Sequence, residues 1–452
     1  MSCTGPDISA TAAAVPPKAG LHPLRLDRPI AYLACLLGLL PVLSGVLFRT
    51  YSYHCAPGWY EALRQIDFIF LIVELGVVFH ARAAGLDIRA LGRKLPRDVR
   101  IAALILFTTF WLGSAFMSEW PARSLLRATF WPLHVLFALA VWHLASRAPG
   151  GVTRSDIRSL ALWLGVGLVL YLPILIIHLV SAAHLAQQTE AQVIWTSAIP
   201  GYLSIRIFGF HLGAVLTLCI ALLWRKSESG AFDAPLYCLL FLAALLLFWS
   251  GSRGPIFAAG IGLASCALLI GCKPGLRELL AILAMLALAA VASSLWIPDS
   301  SFGLFRVVTD TQTSSGYTAG RAEMWMQTWD AFLASPLIGH GEDSTMWLVN
   351  IGEMAHTQPH NLILQLLGNW GTLAAVPAFW LLARAGLTTI QIVRSAPWLF
   401  PLLALLAMLI VTAMVDGVIY HPRSAMLFMA VLAIILAHRR GSLEEGGPLV
   451  RS

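Results

Sequence analysis

Apolar runs about as long as a membrane helix alternate with short polar segments along nearly the whole chain. A helix needs about 20 such residues to cross the hydrocarbon core of a bilayer. Twelve runs qualify, near 30–48, 67–84, 101–117, 128–146, 159–182, 207–224, 234–249, 255–271, 278–297, 361–383, 397–415 and 422–438. The pattern predicts an all-α polytopic integral membrane protein of about 12 transmembrane helices, with helices 1–9 in 30–297 and helices 10–12 in 360–438. A polar stretch, 298–359, interrupts it as one large loop. Inside that loop Ala322 to Ser335 has helical spacing, with Trp325, Trp329 and Phe332 on one stripe. This predicts an amphipathic helix, lying on the membrane surface or packed on the bundle. Residues 1–29, rich in Ala and Pro, are expected to be a disordered cytoplasmic tail; the first apolar run lies too far from the start for a cleavable signal. Residues 439–452 read as a short polar tail. No internal repeat and no second soluble domain is visible.

Composition agrees. The chain is 58% hydrophobic and 12% charged, where soluble proteins are about a quarter charged. The net charge of +7 is therefore a question of loops, not of nucleic acid. With the N-terminus inside, twenty-one basic residues fall on inner segments and nine on outer ones. That bias puts both termini in the cytoplasm and 298–358 outside. All nine outer cations are arginines: Arg49, Arg64, Arg123, Arg127, Arg206, Arg253, Arg306, Arg321 and Arg423. A planar, permanently charged fork suits phosphate oxygens. Of seven cysteines only Cys55 is clearly outside, so no outer disulfide is expected, and no spacing resembles a metal site. Tyr51, Tyr53, Trp59 and Tyr60 in the loop 49–66 read as interface anchors, and the basic loop 82–100 as a contact for anionic lipid. Glu74 lies inside the second run with no partner visible in the sequence, and reads as a packing or water-facing residue.

The candidate chemistry sits at the outer helix ends. Arg253, in the turn Ser250-Gly251-Ser252-Arg253-Gly254-Pro255, opens the eighth run. A helix N-terminus disfavours a cation but favours an anion held by it. Arg206, before the sixth run, stands in apolar surroundings and needs a phosphate or a carboxylate; His211 reads as a packing histidine. Arg321 follows Gly320, and Gly339-His340-Gly341 reads as a turn. His360 is the best single candidate for a base. Pro359 fixes the backbone before it, and a helix start disfavours the imidazolium. Asn361 suits orienting that ring or binding a hydroxyl. Gly368, Gly371 and Ala374 form a small-residue face for close packing. His356 and His360 stand four apart, but Pro359 lies between them and no third metal ligand is evident. Phosphate loops, cysteine pairs, nucleophile elbows and Asp-x-Asp are absent, which favours arginines as the charge clamp.

These residues resemble the O-antigen ligase family of the wider O-antigen ligase and polymerase superfamily. The family's motif runs His, then Asn/Ser/Gln, nine residues, Gly, two residues, then Gly/Thr/Tyr. Here it reads His360-Asn361, Leu362 to Trp370, Gly371, Thr372-Leu373, with Ala374 departing at the last position. Ser252-Arg253-Gly254 and Gly320-Arg321 look like the family's arginine motifs, and Gly339-His340-Gly341 like its glycine-rich turn. The resemblance implies a glycosyltransferase of the bacterial inner membrane acting in lipopolysaccharide biosynthesis. Its donor would be an undecaprenyl-diphosphate-linked glycan and its acceptor lipid A–core oligosaccharide. Transfer would be inverting and periplasmic, with no metal, nucleotide or other cofactor. His360, Arg253 and Arg321 would be catalytic, with Arg206, Asn361, Ser252 and Gly320 binding substrate. The alternatives are an O-antigen polymerase, a protein O-oligosaccharyltransferase of the same superfamily, and a lipid or glycan transporter.

Overall fold

The computed structural model describes residues 28–48, 67–189, 199–224, 233–297, 302–304, 321–351, 354–355 and 358–444. The expectations for the tail 1–27, the loop 49–66, Gly320 and His356 fall outside the described residues. Every apolar run lies in a helix. In chain order these are α1 (Pro29–Leu47), α2 (Phe68–Ala83), α3 (Ile88–Lys94), α4 (Arg97–Phe116), α5 (Pro121–Ala128), α6 (Phe130–Ser146), α7 (Arg154–Thr189), α8 (Ile205–Trp224), α9 (Ala234–Trp249), α10 (Arg253–Ile270) and α11 (Leu276–Ser293). Then come α12 (Arg321–Ala334), α13 (Thr345–Leu348), α14 (Leu362–Ser395), α15 (Phe400–Val415) and α16 (Pro422–Glu444), which runs on past residue 439. A two-stranded antiparallel ribbon pairs Asn350–Ile351 with Met354–Ala355.

Among the described residues, nine helical stretches are long and apolar enough to cross a membrane, α5 and α6 counting as one. Helices α2 and α3 form a pair bent by 85°, while α9 and Pro422–His438 are shorter apolar helices. The twelve expected runs therefore resolve into nine long spans, a bent pair and two shorter helices.

Helices α8 and α15 are buried along most of their length. Around them α10 packs on α15, α9 fits between α8 and α11, α1 lies along α7, α16 on α6, and α4 on α14. Association in lipid depends on close packing. At the α1–α7 crossing, a Cβ on Gly167 would meet the Gly38 backbone and one on Gly38 the Trp163 carbonyl. The outer helices stay apolar on their open faces: Leu268 is 85% and Leu276 73% exposed. That exposure fits lipid, not water.

Ion pairs clasp the ends of the bundle. At one end Arg28–Asp156 (2.8 Å) joins the starts of α1 and α7, Arg158–Asp233 (2.7 Å) those of α7 and α9, and Arg384–Asp98 (2.5 Å) ties α14 to the start of α4. At the other, Arg423 at the start of α16 reaches Asp67 (3.3 Å), Ser44 and the Gly201 carbonyl, and its guanidinium lies 3.9 Å from the Tyr202 ring centre. Between the ends, Glu74 of α2 meets Nδ1 of His134 on α6 at 2.7 Å, both buried. Glu74 thus has a partner sixty residues away.

Helix α14 is broken. Gly371 takes φ 64°, ψ 179°, a conformation open essentially only to glycine. The break frees the Gly368 and Asn369 carbonyls, which accept from the His340 N–H (3.1 Å) and Gly341 N–H (2.8 Å). Beyond it, the N–H groups of Thr372 and Leu373 donate to the Pro336 and Leu337 carbonyls. The turn at 339–341 is thereby stitched into the gap. The expected small-residue face packs closely: a Cβ on Gly371 would meet the Leu337 backbone, one on Gly368 would meet Thr328 of α12, and Ala374 is buried.

Candidate active site

The site lies at the end of the bundle where α8, α10, α12 and α14 begin. Its centre is His360. The residue is not helical: it has φ +54°, a left-handed geometry rare for a side-chain-bearing residue. Asn361 is the N-cap of α14, its Oδ1 accepting from the Leu364 N–H at 3.1 Å. That oxygen is committed to the helix start, which lies one residue beyond His360 and its neighbour. The loop before His360 is held by α12, where Trp325 Nε1 donates to the Pro359 carbonyl at 2.9 Å.

His360 Nδ1 lies 2.6 Å from Asp416 Oδ1. Asp416 caps α15 in an extended conformation, its N–H still donating to Thr412. Gly417 follows because the Gln358 side chain sits where a Cβ would be. With Nδ1 engaged by a carboxylate, Nε2 is the ring nitrogen left to act as a base. Burial pushes the Asp416 carboxyl up, but the His360 hydrogen bond and the charges of His360, Arg206 and Arg321 outweigh it and hold it below the ordinary value. It stays an anion.

Three arginines converge here. Arg321, first residue of α12, is 3.7 Å from Asp416 Oδ2. Its buried Nε has no hydrogen-bond partner among the described residues. Burial and the fields of Arg206 and Arg253 lower its pKa, with Asp416 opposing. Arg253 opens α10 as expected, after Gly251 at φ +63°. Ser252 is buried and its hydroxyl donates to the Ile205 carbonyl at 3.2 Å, fastening the turn to α8. Gly209 and Gly213 let α8 press on Ser252 and Pro255, and Arg206, nearly one turn before Gly209, is carried into the cluster. Arg321 and Trp325, one turn apart, face inward together. The exposed stripe of α12 is Met326, Trp329 and Leu333, so the sequence stripe divides at Trp325.

A cavity of about 250 Å³ opens among Arg206, Phe210, Gln358, His360, Asp416 and His421. Its lining brings together a base, its orienting carboxylate and the Arg206 cation, with Arg321 on the same carboxylate. Beside it, Glu342 is buried under hydrogen bonds from Trp370 Nε1 (2.5 Å) and Trp131 Nε1 (3.2 Å). Tyr420 also bonds Glu342 and accepts from Asn369 Nδ2 at 2.8 Å. Among the described residues no three His, Cys, Asp or Glu side chains gather as a metal site would need.

Fold and site together define a multi-pass membrane protein with a histidine–carboxylate pair and an arginine cluster at one end of its bundle. Residues 238–379 match the family model described as O-antigen ligase, so the resemblance carried by His360-Asn361 is shown over that stretch. Members of this family are glycosyltransferase-like ligases and polymerases. The match takes in Arg253, Arg321 and His360 and ends before Asp416. No curated protein matches the chain.

Proposed function

We propose that the chain transfers a glycan from undecaprenyl diphosphate to lipid A–core oligosaccharide. The carrying observation is the 2.6 Å contact of His360 with Asp416 at a cavity that also takes in Arg206. On this reading the site faces the periplasm, both termini are cytoplasmic, and the twelve apolar runs span the inner membrane.

The acceptor hydroxyl oxygen attacks the anomeric carbon from the face opposite the diphosphate. His360 Nε2 takes the hydroxyl proton as the new C–O bond forms. The bond from the anomeric carbon to the diphosphate oxygen breaks, giving inversion. Arg206, Arg253 and Arg321 meet the charge developing on the leaving diphosphate. Asp416 fixes the ring and stabilises the imidazolium, whose proton then passes to solvent. No step calls for a metal or a nucleotide, because the energised donor supplies the driving force.

The test is reconstitution of the purified chain with lipid-linked glycan and lipid A–core, with EDTA present. The expected product is lipid A–core bearing the glycan. Longer lipid-linked glycan would identify a polymerase, and glycosylated protein an O-oligosaccharyltransferase. Loss with EDTA and rescue by a divalent ion would overturn the arginine-clamp account. Cysteines introduced at 90 and at the exposed position 350 should label from opposite sides, 350 from the periplasm; labelling from one side would overturn the orientation.

A further inference from the structure

A second basic patch lies on α5 and α13, outside the arginine cluster. Arg123 Nε is 2.7 Å and Arg127 Nε 3.6 Å from the same oxygen, Oδ2 of Asp343. Asp343 is buried and held at φ +63°. Two guanidiniums on one carboxylate leave a surplus positive charge. Each uses its Nε on that oxygen, so the terminal fork, the part that matches two phosphate oxygens, is not taken up by the pair. Arg123 is a third exposed.

Aromatic rings adjoin these cations. The Trp120 ring, 47% exposed, lies 5.8 Å from that of Trp347, and the Arg123 guanidinium is 5.9 Å from the Trp120 ring centre. Flat indoles present a π-face to the C–H face of a sugar ring, and their N–H groups to its hydroxyls. Arg127 lies within electrostatic range of the site. Burial pushes the His421 imidazole down to about 3, and Arg127 adds to that shift. His421 lines the cavity beside His360.

We propose that Arg123, Arg127, Trp120 and Trp347 dock the sugar head of the acceptor through a phosphate on it, so that the ligand is a phosphorylated oligosaccharide of a glycolipid. This rests on the glycan-transfer reading. The two roles separate in space: the inner arginines hold the donor's diphosphate, and the α5 patch brings the acceptor in past His421. An aromatic-belt role alone would explain Trp120 but not the two arginines sharing one buried carboxylate.

The test uses the full chain in phosphatidylcholine nanodiscs, with calorimetric titration of soluble core oligosaccharide, phosphorylated or phosphatase-treated. The wild type should bind the phosphorylated form about tenfold more tightly, the weight of one charge-assisted hydrogen bond. Arg123→Gln should remove that preference, and Trp120→Ala should weaken both forms alike. In transfer assays both variants should raise the acceptor KM and leave the donor KM unchanged, which also excludes misfolding. Equal wild-type binding of the two oligosaccharides would overturn the proposal. So would an Arg123→Gln defect seen only with phosphatidylglycerol in the discs, since that would mark a phospholipid site. Phosphate-dependent binding without any transfer would refute the transfer reading and leave this patch standing.

Discussion

His360 and Asp416 stand 2.6 Å apart across fifty-six residues of sequence. The pair joins a left-handed loop before α14 to the last turn of α15, and Arg321 closes on the carboxylate from a third element. An imidazole held this way has one nitrogen assigned to orientation and one to proton transfer.

Asp416→Asn should therefore lower kcat by about 10²–10⁴-fold, the usual weight of a positioned base, with donor KM little changed. His360→Ala should fall as far, and the double variant no further, because the two act as a unit. His360→Gln should not rescue, since an amide cannot take the proton. Steady-state kinetics on the reconstituted protein decide it. A wild-type rate in His360→Gln would end the base assignment.

Lysine in place of Arg253 or Arg321 keeps the charge and loses the fork. Each variant should bind the lipid donor at least about tenfold more weakly, with Arg206→Lys impaired less. Insertion and expression should be normal. Donor binding like wild type in both Arg253→Ala and Arg321→Ala would move the diphosphate elsewhere.

Gly371→Ala puts a Cβ on a residue at φ 64°, ψ 179° and against the Leu337 backbone. Strain of about 1–3 kcal/mol per such residue, with the added collision, should lower the thermal midpoint in detergent and activity with it. Gly368→Ala, whose Cβ would come 3.2 Å from the Thr328 methyl, should be mild. Equal midpoints for the two variants would show that the break is not needed.

Burial raises Glu342 from 4.5 to about 7, with Asp343 adding and Trp370, Tyr420 and Trp131 opposing. The folded state thus holds a proton there that the unfolded chain has released. The associated stability is full below about 4.5 and lost as pH rises through about 7. Glu342→Gln should gain thermal stability relative to wild type as pH goes from 5 to 8. A constant gap between the two midpoints over that range would refute the shift.

What was legible in the sequence follows from range. Apolar length fixed the helices, and His360 was visible because a polar group at the mouth of an apolar run has a local signature. Arg253 and Arg321 were visible through turns and adjoining glycines. Asp416 was not: one acid after an apolar run carries no local sign of a histidine fifty-six residues back. Glu74 and His134 met the same obstacle. The signal available for both acids was their cost, since an ionisable group at or within a membrane helix implies a partner. The positive φ of Gly371 was not legible, because a glycine needed for its backbone angle and one needed for its small size look alike in sequence.

The break at Gly371 also turns a spacing into a gauge. Nine residues, Leu362 to Trp370, separate the cap Asn361 from Gly371. Both ends are pinned, one by the cap and the Trp325 clamp on Pro359, the other by the strand-like exchange with 336–341. Each added or removed residue would swing the imidazole by about 100° around the helix axis and shift it by about 1.5 Å. The count of nine thus sets the bearing of the base on its carboxylate, and length in this segment is as constrained as the identity of the histidine itself.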